Sequence, residues 1–126
     1  MKFEHLALNV KDSRAVAQWY VDHLQMKIIR SIDEAPYTRF LADSTGRPIL
    51  ELYSPATPLV PDYAGMHALT LHLAFAVADA RAVAAKLEAA GAKVESKNEM
   101  PNGNVMVMMR DPWGFTLQIW QRIDPL

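Results

Sequence analysis

Residues 5–17 read HLALNVKDSRAVA and residues 72–84 read HLAFAVADARAVA. At a constant offset of 67, nine of the thirteen pairs are identical, from His5/His72 to Ala17/Ala84. Average amino-acid usage would give about one match by chance. The echo continues outward, where Asp43-Ser-Thr-Gly46 before ILELY is answered by Asp111-Pro-Trp-Gly114 before TLQIW, with a slip of one residue. Two copies at this period are too few and too long for a solenoid, so the chain reads as one domain of two similar halves. The seam is SPATPLVPDYAGMH at 54–67, with three prolines and a glycine. That places a first module at about 3–54, a linker at about 55–68 and a second module at about 69–122.

Each half predicts the same series of elements. Phe3–Val10 alternates apolar and polar residues and carries branched side chains, which predicts a strand. Asp12 or Ser13 then caps a helix to about Leu24, and Asp79 caps its counterpart to about Ala90, with Gly91 suited to the position just past the end. Three strands follow each helix, at about 26–33, 37–43 and 48–53, and at about 93–98, 104–110 and 115–121. Turn residues separate them, as in Asp33-Glu-Ala-Pro36 and Pro101-Asn-Gly103. The expected fold class is α+β, with the pattern βαβββ occurring twice.

Composition narrows the function. The 126 residues are 51% hydrophobic and 21% charged, with a net charge of −1, which describes an ordinary globular domain rather than a disordered chain. No two Lys or Arg are adjacent, so no basic stripe exists and nucleic acid is not an expected partner. The apolar run Leu73–Ala78 is far short of a membrane span, and the N-terminus lacks an apolar signal region. With no cysteine, thiolate metal sites, disulfides and cysteine nucleophiles are excluded. A cytoplasmic location is the expectation.

Side chains alternate across a strand, so each strand can be sorted into two faces. Leu6, Leu8 and Val10 should meet the first helix, leaving His5, Ala7 and Asn9 on the other face. Leu71, Leu73, Phe75 and Val77 should meet the second, leaving Thr70, His72, Ala74 and Ala76. In the closing strands, Ile49, Glu51 and Tyr53 oppose Leu50 and Leu52, and Thr116, Gln118 and Trp120 oppose Phe115, Leu117 and Ile119. His5 to Glu51 and His72 to Gln118 are both 46 residues. A pseudo-twofold relation between the halves would bring all four together on an alanine-lined face. Two imidazoles, a carboxylate and an amide oxygen suit one divalent ion such as Zn, Ni, Mn or Fe(II).

FEHLALNVKD, WYVDHLQMK, ILELY, LTLHLAFAVADA, LEAAGAKV and DPWGFTLQIW together resemble the vicinal oxygen chelate superfamily over about residues 3–122. Its members include glyoxalases, extradiol dioxygenases and bleomycin-resistance proteins. The resemblance implies two tandem βαβββ modules curving into a half-open, eight-stranded, barrel-like cup with a helix outside each half. It also implies a homodimer, and places His5, Glu51, His72 and Gln118 at the four metal-ligand positions. The fourth position is commonly glutamate in the family, and Gln118 cannot abstract a proton. Glu51, the one carboxylate of the set, would then be the base. Asn9, Tyr53, Thr70, Thr116 and Trp120 would line the substrate pocket, Met106 and Met108 would give it a soft wall, and Arg39 or Arg110 would meet an anionic substrate.

Three functions follow as expectations. The first is a glyoxalase-like, metal-dependent lyase or isomerase acting on a small oxygenated substrate. The second is a protein that sequesters a drug or metabolite, as bleomycin-resistance members do. The third is Fe(II)-dependent ring cleavage, which two histidines and a carboxylate would suit, although the carboxylate here comes from the first half.

Overall fold

The structure is a computed structural model that describes residues 1–55 and 59–126; residues 56–58 of the expected linker lie outside the described residues. The chain divides into two compact units, Met1–Pro61 and Asp62–Leu126. Each is a βαβββ module with one helix and one four-stranded mixed sheet.

In the first unit, β1 (Leu6–Asn9) leads into α1 (Ser13–Leu24), then β2 (Lys27–Ser31), β3 (Arg39–Ala42) and β4 (Pro48–Tyr53). The spatial order is β1-β4-β3-β2. β1 runs parallel to β4, with Leu6 opposite Leu50 and Ala7 opposite Glu51; the other two pairings are antiparallel. The helix starts where the sequence supplies an acceptor, since Asp12 Oδ1 takes the backbone N–H groups of Arg14 and Ala15, both at 3.1 Å. Capping by an aspartate satisfies donors that the first turn would otherwise leave unpaired. Val16, Ala17 and Tyr20 are buried from the helix, and Leu8, Leu41, Leu50 and Leu52 from the sheet. Leu50 and Leu52 are sealed while Ile49, Glu51 and Tyr53 are half-buried, so the alternation predicted for β4 is the one observed.

The second unit repeats the order. After a 3-10 turn at Tyr63–Gly65 come β5 (Leu73–Ala76), α2 (Ala80–Ala89), β6 (Lys93–Glu99), β7 (Val105–Arg110) and β8 (Thr116–Gln121), arranged β5-β8-β7-β6. Asp79 Oδ1 caps α2 through Arg81 and Ala82. Gly91, just past the helix, has φ +97°, a conformation that costs glycine little. The core is Ala84, Leu87, Val107, Met109, Leu117 and Ile119. The pairing of β2 with β3 slips between Ile28 and Arg30, and that of β6 with β7 slips between Val94 and Ser96. The duplication therefore extends to an irregularity of the backbone.

The first strand of each half is shorter than the alternation predicts. β1 begins at Leu6 rather than Phe3, because its ladder with β4 begins at the Leu6–Leu50 pair. β5 begins at Leu73, opposite Leu117. His5 and His72 thus occupy one equivalent place, the residue immediately before each ladder.

Candidate metal and ligand site

In the first unit, His5 and Glu51 come together. The residue after next from His5, Ala7, lies opposite Glu51 across the parallel pair, so the histidine projects on the face that carries the carboxylate. His5 Nε2 stands 3.1 Å from Glu51 Oε2, both side chains roughly three-quarters buried at 26% and 22% exposure. Two donors about 2.1 Å from a common ion stand about 3.0 Å apart in octahedral and about 3.4 Å apart in tetrahedral geometry, so this spacing, which is that of a direct imidazole–carboxylate pair, is also compatible with ligands of one metal. The other ring nitrogen, Nδ1, stands 2.9 Å from Glu4 Oε2. A carboxylate at one imidazole nitrogen fixes ring orientation and leaves the other nitrogen to the site. Sequence reasoning did not single out Glu4; the only signal was its place beside His5. Phe40, opposite Glu51 on β3, meets the His5 ring edge-on at 5.5 Å.

In the second unit, Ala74 lies opposite Gln118, and Met108 opposes Gln118 from β7. Gln118 is 9% exposed. Its Oε1 accepts a hydrogen bond from the indole Nε1–H of Trp120, which lies two residues on and therefore on the same face. The Arg122 guanidinium lies over the Trp120 ring, 4.0 Å from its centroid. Nδ1 of His72 is buried and has no hydrogen-bond partner among the described residues. A buried polar atom without a partner costs about 1–3 kcal/mol, a cost that a bound ligand, ion or water would remove. Ala74 and Ala76 on the same strand are exposed, as expected of an alanine-lined face.

Among the described residues, no group of three or more His, Cys, Asp or Glu forms a metal cluster. Each unit instead supplies two side chains at equivalent positions: His5 with Glu51, and His72 with Gln118. In the first unit, the donor types and the 3.1 Å His5–Glu51 spacing fit a borderline divalent ion; in the second, the unpartnered His72 nitrogen is a donor of the same kind.

The remaining expected pocket residues divide. Tyr53 is half-buried and opposite Asn9, and Asn9 Nδ2 donates to Leu59 O at 3.4 Å. Thr116 and Met108 are buried and Met106 half-buried, with Met106 opposite Trp120 and Thr116 opposite Arg110. Thr70 is exposed, in a turn before β5 where its N–H donates to His67 O. Arg39 is buried and its guanidinium is engaged, donating to Ile32 O, Thr38 O and Asp33 Oδ1. Arg110 likewise donates to Glu95, Tyr63 O, Gly114 O and Met66 O. It ties the segment before β5 to the β7–β8 turn.

Residues 2–119 match the family model described as Glyoxalase/Bleomycin resistance protein/Dioxygenase superfamily. No curated protein matches the chain. Among solved structures, SMU.1112c is 27% identical, with a TM-score of 0.71 and coverage of 96% of this chain and 98% of that one. The trypanothione-dependent glyoxalase I of Leishmania major is 20% identical, with a TM-score of 0.72 over 96% of this chain and 86% of that one. TnmS3, an antibiotic-binding protein from Streptomyces sp. CB03234, is 18% identical, with a TM-score of 0.68 over 96% and 95%. At such identities the latter two show a shared fold.

Proposed function

The chain belongs to the Glyoxalase/Bleomycin resistance protein/Dioxygenase superfamily, and from that premise we propose that it is a glyoxalase-like, divalent-metal-dependent enzyme acting on a small oxygenated substrate. The observation that carries this reading is the His5 Nε2–Glu51 Oε2 spacing of 3.1 Å, repeated in position by His72 and Gln118. His5, Glu51 and His72 are the proposed donors, with Gln118 at the fourth position. A divalent ion held by them would supply Lewis-acid polarisation of a substrate carbonyl or hydroxyl. Glu4 holds the His5 ring so that Nε2 faces Glu51. Glu51, the one carboxylate at the four positions, takes the substrate proton. The exposed alanines Ala74 and Ala76 leave room for a ligand beside His72.

The test is metal content. Purified protein should bind Zn2+, Ni2+, Mn2+ or, without oxygen, Fe2+ at close to one per chain, and His5→Ala and His72→Ala should each weaken uptake at least about tenfold. A wild-type chain that binds none of these ions refutes the proposal.

A second reading, ligand sequestration, has its own support. The Trp120 ring capped by Arg122, beside Met106 and Met108, is a surface on which a planar molecule can stack. Tight binding of such a molecule with no product formed, and no change on adding chelator, would favour it.

A further inference from the structure

We infer that Arg30 and Phe40 form the far end of the ligand site of the first unit, where a guanidinium and an aromatic ring take a small molecule that carries a carboxylate. Residues directly opposite in a sheet share a face. One such row crosses the first sheet, formed by Ala7, Glu51, Phe40 and Arg30. Phe40 links its two ends. The ring meets that of His5 edge-on at 5.5 Å, and the Arg30 guanidinium lies 6.0 Å from its centroid.

Arg30 enters this row through the irregularity between β2 and β3. Lys27 and Ile28 pair with Ala42 and Leu41. A regular ladder would go on to set Ile29 opposite Phe40, with Arg30 opposite Arg39. The slip makes Ile29 the extra residue and brings Arg30 to Phe40 instead. Bulges re-aim side chains in this way beside functional sites. The second unit has the same slip, and its row is Ala74, Gln118, Met108 and Ser96. The halves share the device, and the first alone uses it to add a charge to the row.

That charge is uncommitted. Arg39 and Arg110, the arginines expected to meet an anionic substrate, are engaged by backbone carbonyls and by Asp33 and Glu95. Arg30 is exposed, and among the described residues no carboxylate pairs with it. Glu51, the one carboxylate of the row, already stands against His5. A guanidinium beside an aromatic ring keeps its planar fork of N–H donors for a carboxylate. Two strand spacings, on the order of 10 Å, separate Glu51 from Arg30. The ligand class is therefore a monocarboxylate with a flat apolar body. Its carboxylate meets Arg30, its body covers Phe40 and its oxygenated end points to His5 and Glu51. The inference rests on the proposed function for the chemistry at that oxygenated end; the carboxylate end stands on Arg30 and Phe40 alone.

The probes are 3-phenylpropionate and 3-phenylpropan-1-ol, which share a body and differ in charge, each titrated into the full chain with Kd read from protein NMR shifts. The wild type should bind the carboxylate at least about threefold more tightly than the alcohol, and the difference should shrink as salt rises to about 0.5 M. Arg30→Gln, at an exposed position, should bring the two Kd values together. Arg30→Lys should keep part of the difference, and Phe40→Leu should weaken both probes. Equal Kd values in the wild type, a difference that persists in Arg30→Gln, or no binding of either probe at about 10 mM overturns the inference, as does Phe40→Leu with both affinities unchanged. Those outcomes leave the proposed function standing, since metal content tests it separately. A chain that takes up no divalent ion and still shows the Arg30-dependent difference loses the enzyme and keeps the carboxylate subsite.

Discussion

Glu51 occupies a strand in which Leu50 and Leu52 are 1% and 0% exposed, and its own side chain is mostly buried against His5. A carboxylate in that setting needs a partner, which is why it stood out in the sequence. Glu51→Gln keeps the shape and removes the charge. It should change stability by no more than about 1 kcal/mol, since the ion pair retains solvent contact, yet lower divalent-metal affinity at least about tenfold. Urea denaturation and a metal titration on the same samples read the two effects separately. The His5–Glu51 pairing was legible because residue type, alternation and the 46-residue spacing all pointed to it. The engagement of Arg39 and Arg110 was not legible. Their partners are mostly backbone carbonyls such as Tyr63 O, 47 residues from Arg110, and a carbonyl carries no signature of residue type.

Elements were the most legible scale, because each boundary is a local matter. Asp12 and Asp79 cap their helices through the same two bonds at the same register. Asp12→Ala and Asp79→Ala should therefore each cost about 1 kcal/mol in chemical denaturation, with similar values for the two. The extent of β1 and β5 was overread because alternation says nothing of where a neighbouring strand begins. The need for glycine at 114 was also invisible: a Cβ there would lie 2.6 Å from that of Ala64, at φ +88°. Gly114→Ala should destabilise the protein by about 1–3 kcal/mol through both the clash and the backbone strain, read as a lower melting temperature. The β3–β4 turn gives a pH dependence. Asp43 is held below the usual carboxylate range, chiefly by the Thr45 hydroxyl, which outweighs an opposing effect of burial with the help of the Arg47 and Thr45 backbone N–H groups and the Arg47 charge. A depressed folded pKa adds stability above the unfolded value that is lost as pH falls through the folded one. Thr45→Val should destabilise the protein at pH 7 and matter progressively less as Asp43 protonates in acid, as read by urea denaturation at pH 7 and below pH 3.

At the scale of the whole chain, the duplication supplies a test that no single residue gives. The two sheets have the same strand order, and each unit offers one histidine at the same place before its first ladder. An ion that draws donors from both units stabilises the folded chain by mass action, about 2.7 kcal/mol at a hundredfold excess over its Kd. In a domain of this size that raises the melting temperature by about 10 °C. His5→Ala and His72→Ala should then each abolish nearly the whole rise, because either loss breaks a shared set of ligands. A rise abolished by His5→Ala and untouched by His72→Ala would assign the ion to the first unit alone, with Glu51 as its carboxylate and Glu4 orienting the His5 ring. The second unit would then keep its His72 nitrogen, indole and guanidinium for the ligand. Thermal melts of the two variants with and without Zn2+ decide between a divided site and a division of labour.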